Sequence, residues 1–231
     1  MLRGMRLYSF AFAPSPLKVR FALAELGLDH QRVEVNLLDW DQHSPAFKKL
    51  NPHGKVPVLE DGAFVLRESG AILSYLGRTY GLDSLWPAHP AEEAIALQWL
   101  FFEACHLMAP LATLFFTELV SPLVGLPASA PEVIADNQAE LSRSLDVFEA
   151  QLQGRDYLMG DFSLVDCSLG VIASMLPRTS LDTPKRWPRV FDYGERIRAR
   201  PGWAEGQGNE FFHADQFIKK LQAQGQGASA S

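Results

Sequence analysis

The chain has 231 residues, of which 47% are hydrophobic and 21% charged, and it carries a formal net charge of −6 at pH 7. That length suits one large domain or two smaller ones, and the composition excludes a disordered or fibrous chain. The acidic balance argues against nucleic acid or an anionic membrane surface as a partner.

In chain order, Met5 to Phe10 reads as a strand that Pro14-Ser15-Pro16 breaks. Leu17 to Leu26 follows as a helix whose apolar face is Val19, Phe21, Ala22, Leu23 and Leu26, with Gly27 closing it. Gln31 to Asn36 alternates as a second strand, and Ser44 to Leu50 is a short helix with Pro45 in its first turn. Asn51-Pro52-His53-Gly54 is turn chemistry. Val56 to Leu59 and Ala63 to Leu66 are β-prone runs, separated by the hairpin signal Glu60-Asp61-Gly62. Pro57 cannot donate to a strand ladder, which predicts an edge position or a site kept for a purpose other than folding. Glu68-Ser69-Gly70 then opens a helix that runs to Tyr80 and closes at Gly81. The order βαβ then ββα makes residues 1–81 a compact α/β domain.

Residues 82–90 hold two prolines and read as a linker; beyond them every pattern is helical. Ala91 to Leu119 is a long helix in which Pro110 predicts a kink. Ser129-Ala130-Pro131-Glu132 reads as a capping box, followed at helical spacing by Ile134, Leu141, Leu145, Phe148 and Leu152. Ser163 to Asp166 is a second capping box, opening the apolar run Cys167 to Leu176. Trp187-Pro188 starts a further helix that Pro201-Gly202 end, and an amphipathic piece from Phe211 to Leu221 completes a helical domain over residues 91–221. Residues 222–231, QAQGQGASAS, are a low-complexity tail expected to be disordered.

Cys105 and Cys167 stand far apart in apolar helical contexts. They offer no zinc spacing, no C-x-x-C pair and no disulfide framework, so no metal is expected and a reducing cytoplasm is the expected compartment. No apolar run reads as a membrane span, and Met1 to Gly4 lead straight into a strand without a signal peptide.

The segments LYSF…KVRFALAELGL, NPHGKVPVLEDG, Glu68-Ser69 with AILSYL after it, and YLMGDFSLVDCSLG resemble the cytosolic glutathione transferases, in order and in spacing, from Met5 to about Trp203. The resemblance points to the bacterial, theta-like or serine-type branch rather than the tyrosine classes. It implies a thioredoxin-like first domain that binds glutathione as co-substrate, an all-helical second domain that receives a small hydrophobic electrophile, and a homodimer. It also implies that Val56 offers its backbone to the cysteinyl part of glutathione, ahead of a cis Pro57. Glu68 and Ser69 would then hold the γ-glutamyl end, Lys55 a carboxylate, and His43 would stand near a further basic position. Read by themselves, Glu68 and Ser69 also suit a helix start, where the macrodipole favours the carboxylate and the hydroxyl caps an amide. Lys55 by itself suits a solvated charge at a strand end.

The chemistry of the resemblance needs a donor that stabilises a thiolate at the first helix. The position where serine-type relatives carry their hydroxyl is Ala13 here. Ser15 is the first candidate in its place and Ser9 the second. Ser15-Pro16 equally reads as an N-cap, and backbone amides at the helix start are a third source of donors. For the electrophile, Phe12, Phe102 and His106 are the candidate lining. The expected function is transfer of the glutathione thiolate to a small hydrophobic electrophile. The alternatives are a glutathione-dependent disulfide or peroxide reductase of the same fold, and a non-catalytic regulatory or partner-binding member.

Overall fold

The computed structural model describes residues 4–124 and 127–209; the helix expected at 211–221 and the tail from 222 lie outside the described residues. The first unit runs β1 (Met5–Ser9), α1 (Pro14–Glu25), β2 (Gln31–Glu34), α2 (Pro45–Leu50), β3 (Val58–Asp61), β4 (Phe64–Arg67) and α3 (Ser69–Tyr80). The strands form one sheet in the order β2-β1-β3-β4. β1 runs parallel to β2 and antiparallel to β3 with Leu7 opposite Leu59, and β3 runs antiparallel to β4.

Alternation along the strands divides the core. Leu7 and Leu59 join Leu17, Phe21, Leu73 and Leu76 under α1 and α3. Tyr8 and Val58 point the other way and meet Phe47 of α2. Two boundaries differ from the expectation. Helix α1 begins at Pro14 rather than Leu17, because proline's fixed φ suits a first helical turn and its missing N–H is not needed there. The strand begins at Val58 rather than Val56, so Pro57 does not sit in an edge strand: it stands just ahead of an interior one, where no ladder donor is required.

The second unit contains α4 (Pro90–Phe102), α5 (Met108–Phe115), α6 (Ser121–Val124), α7 (Pro131–Gln151), α8 (Leu164–Met175), α9 (Thr183–Arg186), α10 (Pro188–Arg198) and α11 (Pro201–Glu205). Helices α4 to α6 form one continuous run, joined by π-type turns at Glu103–Leu107 and Phe116–Val120. The first widened turn ends three residues before α5's Pro110, whose absent N–H leaves the preceding turn short of a donor. By length and composition Pro90–Val120 is apolar enough to cross a membrane. Its Trp99, Leu100, Leu107, Leu111 and Leu114 are instead packed into the core.

The capping box expected at Ser129 is not formed. α7 takes Ala130 as its N-cap, and the Ser129 hydroxyl is hydrogen-bonded to Thr117 at 2.8 Å. The second box, Ser163 with Asp166, is present and opens α8, every residue of which is buried. Pro201 begins α11 rather than ending a longer helix, since α10 has already stopped at Arg198. α1 packs on both α8 and α11, so a single apolar core continues from the sheet into the helices.

Candidate functional site

Where α1, the mouth of β3, the start of α3 and the first π-type turn meet, they enclose a cavity of about 270 Å³. The first domain contributes Ser15, Lys18, Asn51, Lys55, Val56, Pro57, Glu68 and Ser69 to its wall, and the helices contribute Glu103, Ala104 and Met108. A larger hollow of about 740 Å³ lies between the linker and the loop before α8, and it gathers none of these residues.

The start of α1 is short of donors. Ala13 is the N-cap in extended conformation and makes no side-chain cap, and its N–H is bound to the Phe10 carbonyl at 3.2 Å. Pro14 and Pro16 have no N–H, and the Leu17 N–H returns to the Ala13 carbonyl at 3.3 Å. Within this turn Ser15 alone keeps a free amide. Its hydroxyl does not cap α1, contrary to the N-cap reading, because the helix starts one residue ahead of it.

The loop before β3 is braced by Asn51, which is 4% exposed. Its Nδ2 donates to the Lys55 carbonyl at 2.7 Å, and its Oδ1 accepts from the His53 amide at 3.1 Å. Gly54 holds φ +67°, and a Cβ there would stand 3.1 Å from the Gln42 carbonyl and 3.3 Å from the His43 ring. The Val56–Pro57 peptide is cis. Glu68 is the N-cap of α3 at φ 65°, ψ 119°, a conformation that side chains disfavour, and its carboxylate caps nothing. Strain of that kind costs of order 1–3 kcal/mol and concentrates at functional positions. Ser69 begins α3, whose first-turn amides form an anion-seeking end.

A buried ion pair closes the wall between the two domains. Lys18 Nζ lies 2.7 Å from Glu103 Oε1, with the side chains 1% and 4% exposed. Glu103 Oε2 accepts from Ser168 Oγ at 3.1 Å. The sequence pattern points to neither Lys18 nor Glu103, and to Asn51 only as the opening of a turn. The available signals are a lysine in the apolar-rich helix KVRFALAEL and an asparagine opening a proline-glycine turn.

Other candidates lie elsewhere. Ser9 is fully buried, and its hydroxyl accepts from Arg20 Nη1 at 2.7 Å. That guanidinium also donates to the carbonyls of Phe10, Ala11 and Gly206, which makes Ser9 part of a structural staple away from the cavity wall. His43 is outside the lining; its ring stacks on Trp40 at 5.5 Å and backs Gly54. Phe12 packs on Phe10 at 5.7 Å. Phe102 stands between Trp99 and His106 and borders a separate hollow with Asp146 and Val147. The helix changes to π-type bonding over Glu103–Leu107, and it is Glu103, Ala104 and Met108 that border the cavity. Tyr8 donates to Glu60 Oε2 at 3.0 Å, and burial together with that bond raises its pKa.

The backbone ahead of a cis proline, an anion-seeking helix start, a free carboxylate and two lysines suit a small zwitterionic peptide. Residues 3–78 match the family described as glutathione S-transferase, N-terminal domain, and residues 107–201 match glutathione S-transferase, C-terminal domain. A glutathione S-transferase of Hyoscyamus muticus is 32% identical over 206 residues, covering 87% of this chain and 97% of the relative. One of Drosophila melanogaster is 31% identical over 224 residues, covering 94% of this chain and 100% of the relative. The crystal structure of a glutathione transferase from Populus trichocarpa aligns with TM-score 0.78 at 29% identity, over 88% of this chain and 99% of that one.

Proposed function

The chain belongs to the glutathione S-transferase family and is an enzyme that takes glutathione as co-substrate, and on that premise we propose a division of labour among its cavity residues. The backbone of Val56, ahead of Pro57, pairs with the cysteinyl unit. The first-turn amides of α3 and Ser69 receive the γ-glutamyl carboxylate, and Glu68 receives its ammonium. Lys55 takes the glycyl carboxylate, and His43, behind Gly54, supports the loop that carries it. The thiol then lies at Ser15, whose hydroxyl and amide donate to the sulfur as its proton leaves to solvent. The thiolate attacks an electrophilic carbon, forming the C–S bond as a leaving group or a π-electron pair departs.

The observation that supports this most is convergence: Ser15, Lys55, Val56, Pro57, Glu68 and Ser69, spread over some fifty positions of sequence, share one cavity of about 270 Å³. Residues 1–81 supply the glutathione side, residues 82–90 the link, and the helices from 91 onward the electrophile side. Ala104 and Met108 give that side an apolar wall, which suits a small hydrophobic electrophile. Within the family the proposed placement is the serine-type, theta-like branch that the sequence motifs imply, with Ser15 in place of the hydroxyl that Ala13 lacks. A homodimer and a cytoplasmic setting complete the proposal, the second supported by two free cysteines.

Calorimetric titration is the test: saturable glutathione binding is expected, and no heat at millimolar ligand removes the assignment. A glutathione-dependent reductase is the second reading, favoured by Ala13 standing where serine-type relatives carry their hydroxyl. It takes precedence if a disulfide substrate is turned over faster than an activated aryl halide is conjugated.

A further inference from the structure

Lys18 is the feature of the cavity that the binding scheme leaves unused. Its ammonium carries three N–H donors. Among the described residues one acceptor lies within hydrogen-bond reach, Glu103 Oε1 at 2.7 Å. Two donors therefore remain on a group that is 1% exposed and borders the cavity. Unmet buried donors on a charged group are costly, and an anion placed in the cavity satisfies them. Glu103 does not compete for that role, because a carboxylate has no proton to give an anion; its oxygens accept from Lys18 and from Ser168. The positive end of the pair is the end that can donate to an anion.

The anion it faces follows from position. Lys18 is three residues after Ser15 in α1, so the two share a face of the helix with about 5–6 Å between their Cβ atoms. The glutathione carboxylates have partners at Lys55 and at the start of α3, whereas the sulfur at Ser15 has few. A helix start ordinarily offers four free amides. Here Pro14 and Pro16 remove two, Ala13 spends its own on the Phe10 carbonyl, and Ala13 has no hydroxyl. One amide and one hydroxyl, both of Ser15, are what α1 itself can give a thiolate.

We propose that Lys18, held in place by Glu103 and Ser168, is the cation that stabilises the glutathione thiolate over the start of α1. Lys18 thus supplies the charge that compensates for Ala13 and for the two prolines, and Glu103 is its positioning residue. This rests on the reading that the cavity holds glutathione with its sulfur at Ser15. An opposite charge within a few ångströms lowers an acid's pKa by about 1–3 units.

The experiment is a pH titration of the ultraviolet thiolate absorbance of bound glutathione. It compares the wild type with Lys18→Arg and with the double variant Lys18→Met/Glu103→Leu, which removes both charges together and leaves no lone buried ion. Glutathione affinity is measured alongside at acidic pH, where the thiol is protonated in all three. The expected result is a thiol pKa about 1–3 units higher in the double variant, and correspondingly less thiolate at pH 7, with affinity at acidic pH changed only a few-fold and Lys18→Arg close to the wild type. An unmoved thiol pKa with glutathione still bound overturns the proposal. Weakened affinity with an unmoved pKa overturns it too, by assigning Lys18 to a carboxylate. Failure of the wild type to bind glutathione is a different result: it removes the binding scheme beneath the proposal.

Discussion

Two serines with the same side chain end in opposite environments. Ser9 is spent on Arg20 in a sealed part of the first domain, while Ser15 borders the cavity beside the one free amide of its turn. A hydrogen bond to a charged group contributes about 1.5–3 kcal/mol. Ser15→Ala is therefore expected to lower kcat/KM for conjugation at neutral pH by about 10- to 100-fold, measured by steady-state kinetics. Ser9→Ala should leave kcat/KM near wild type and lower the unfolding midpoint instead, since it strips a partner from a buried guanidinium. Equal kinetic loss in both variants would contradict the assignment. Glu68 gives a second residue-scale prediction, because its left-handed φ of 65° is a conformation that glycine adopts freely. Glu68→Gly should raise stability by about 1 kcal/mol in chemical denaturation and weaken glutathione binding at least tenfold by calorimetry. A protein that both loses stability and keeps its affinity would show that the strained carboxylate serves the fold rather than the ligand. The pair Glu68-Ser69 was visible in the sequence as a helix start beside a family motif; the strain was not, because φ at a single position is imposed by where β4 must hand over to α3.

At the scale of elements, α8 and the π-type turn show what local pattern can and cannot specify. The Ser163–Asp166 box is written in adjacent residues and forms as read. Tertiary structure adds to it: the fully buried Asp166 also accepts from the Leu158 amide at 3.1 Å and the Tyr193 hydroxyl at 2.9 Å. Asp166→Ala strands these donors, and a loss of about 2–4 kcal/mol is expected from denaturant unfolding. Burial holds the Asp166 carboxyl above its ordinary 3.8, against the donors that pull it down. The folded state therefore binds this proton more tightly than the unfolded chain does. Its contribution is full below about pH 4 and falls as pH rises through the raised value, so the stability of the wild type relative to Asp166→Asn should decline across that window. A relative stability that climbs with pH there would reverse the sign. The box read at Ser129 failed for a physical reason, since its hydroxyl found Thr117 on a neighbouring segment. Phe102 and His106 do not border the cavity that Glu103, Ala104 and Met108 line, and over Glu103–Leu107 the helix leaves the α-helical period, a change no 3.6-residue pattern records.

At the scale of the whole molecule, the two domains share one core and meet across the Lys18–Glu103 pair, so the site exists only when they are docked. Phe64 and Phe101 are 46% and 66% exposed, rings whose burial against a second copy would favour association. We expect sedimentation to give a homodimer and Phe101→Glu to shift it towards monomer; a wild type that sediments as a monomer at micromolar concentration would refute this. By itself the sequence determined the order of elements, the glutathione-binding motif and the buried cap of α8, because each is specified by neighbours within a few residues. Only the tertiary structure decided that Ser15 and not Ser9 reaches the cavity, that Ala104 and Met108 replace Phe102 and His106 on its far wall, and that Lys18 meets Glu103. Those outcomes depend on which faces of α1 and of the helix from Pro90 are pressed together, and residues 85 positions apart acquire a relation only through that packing.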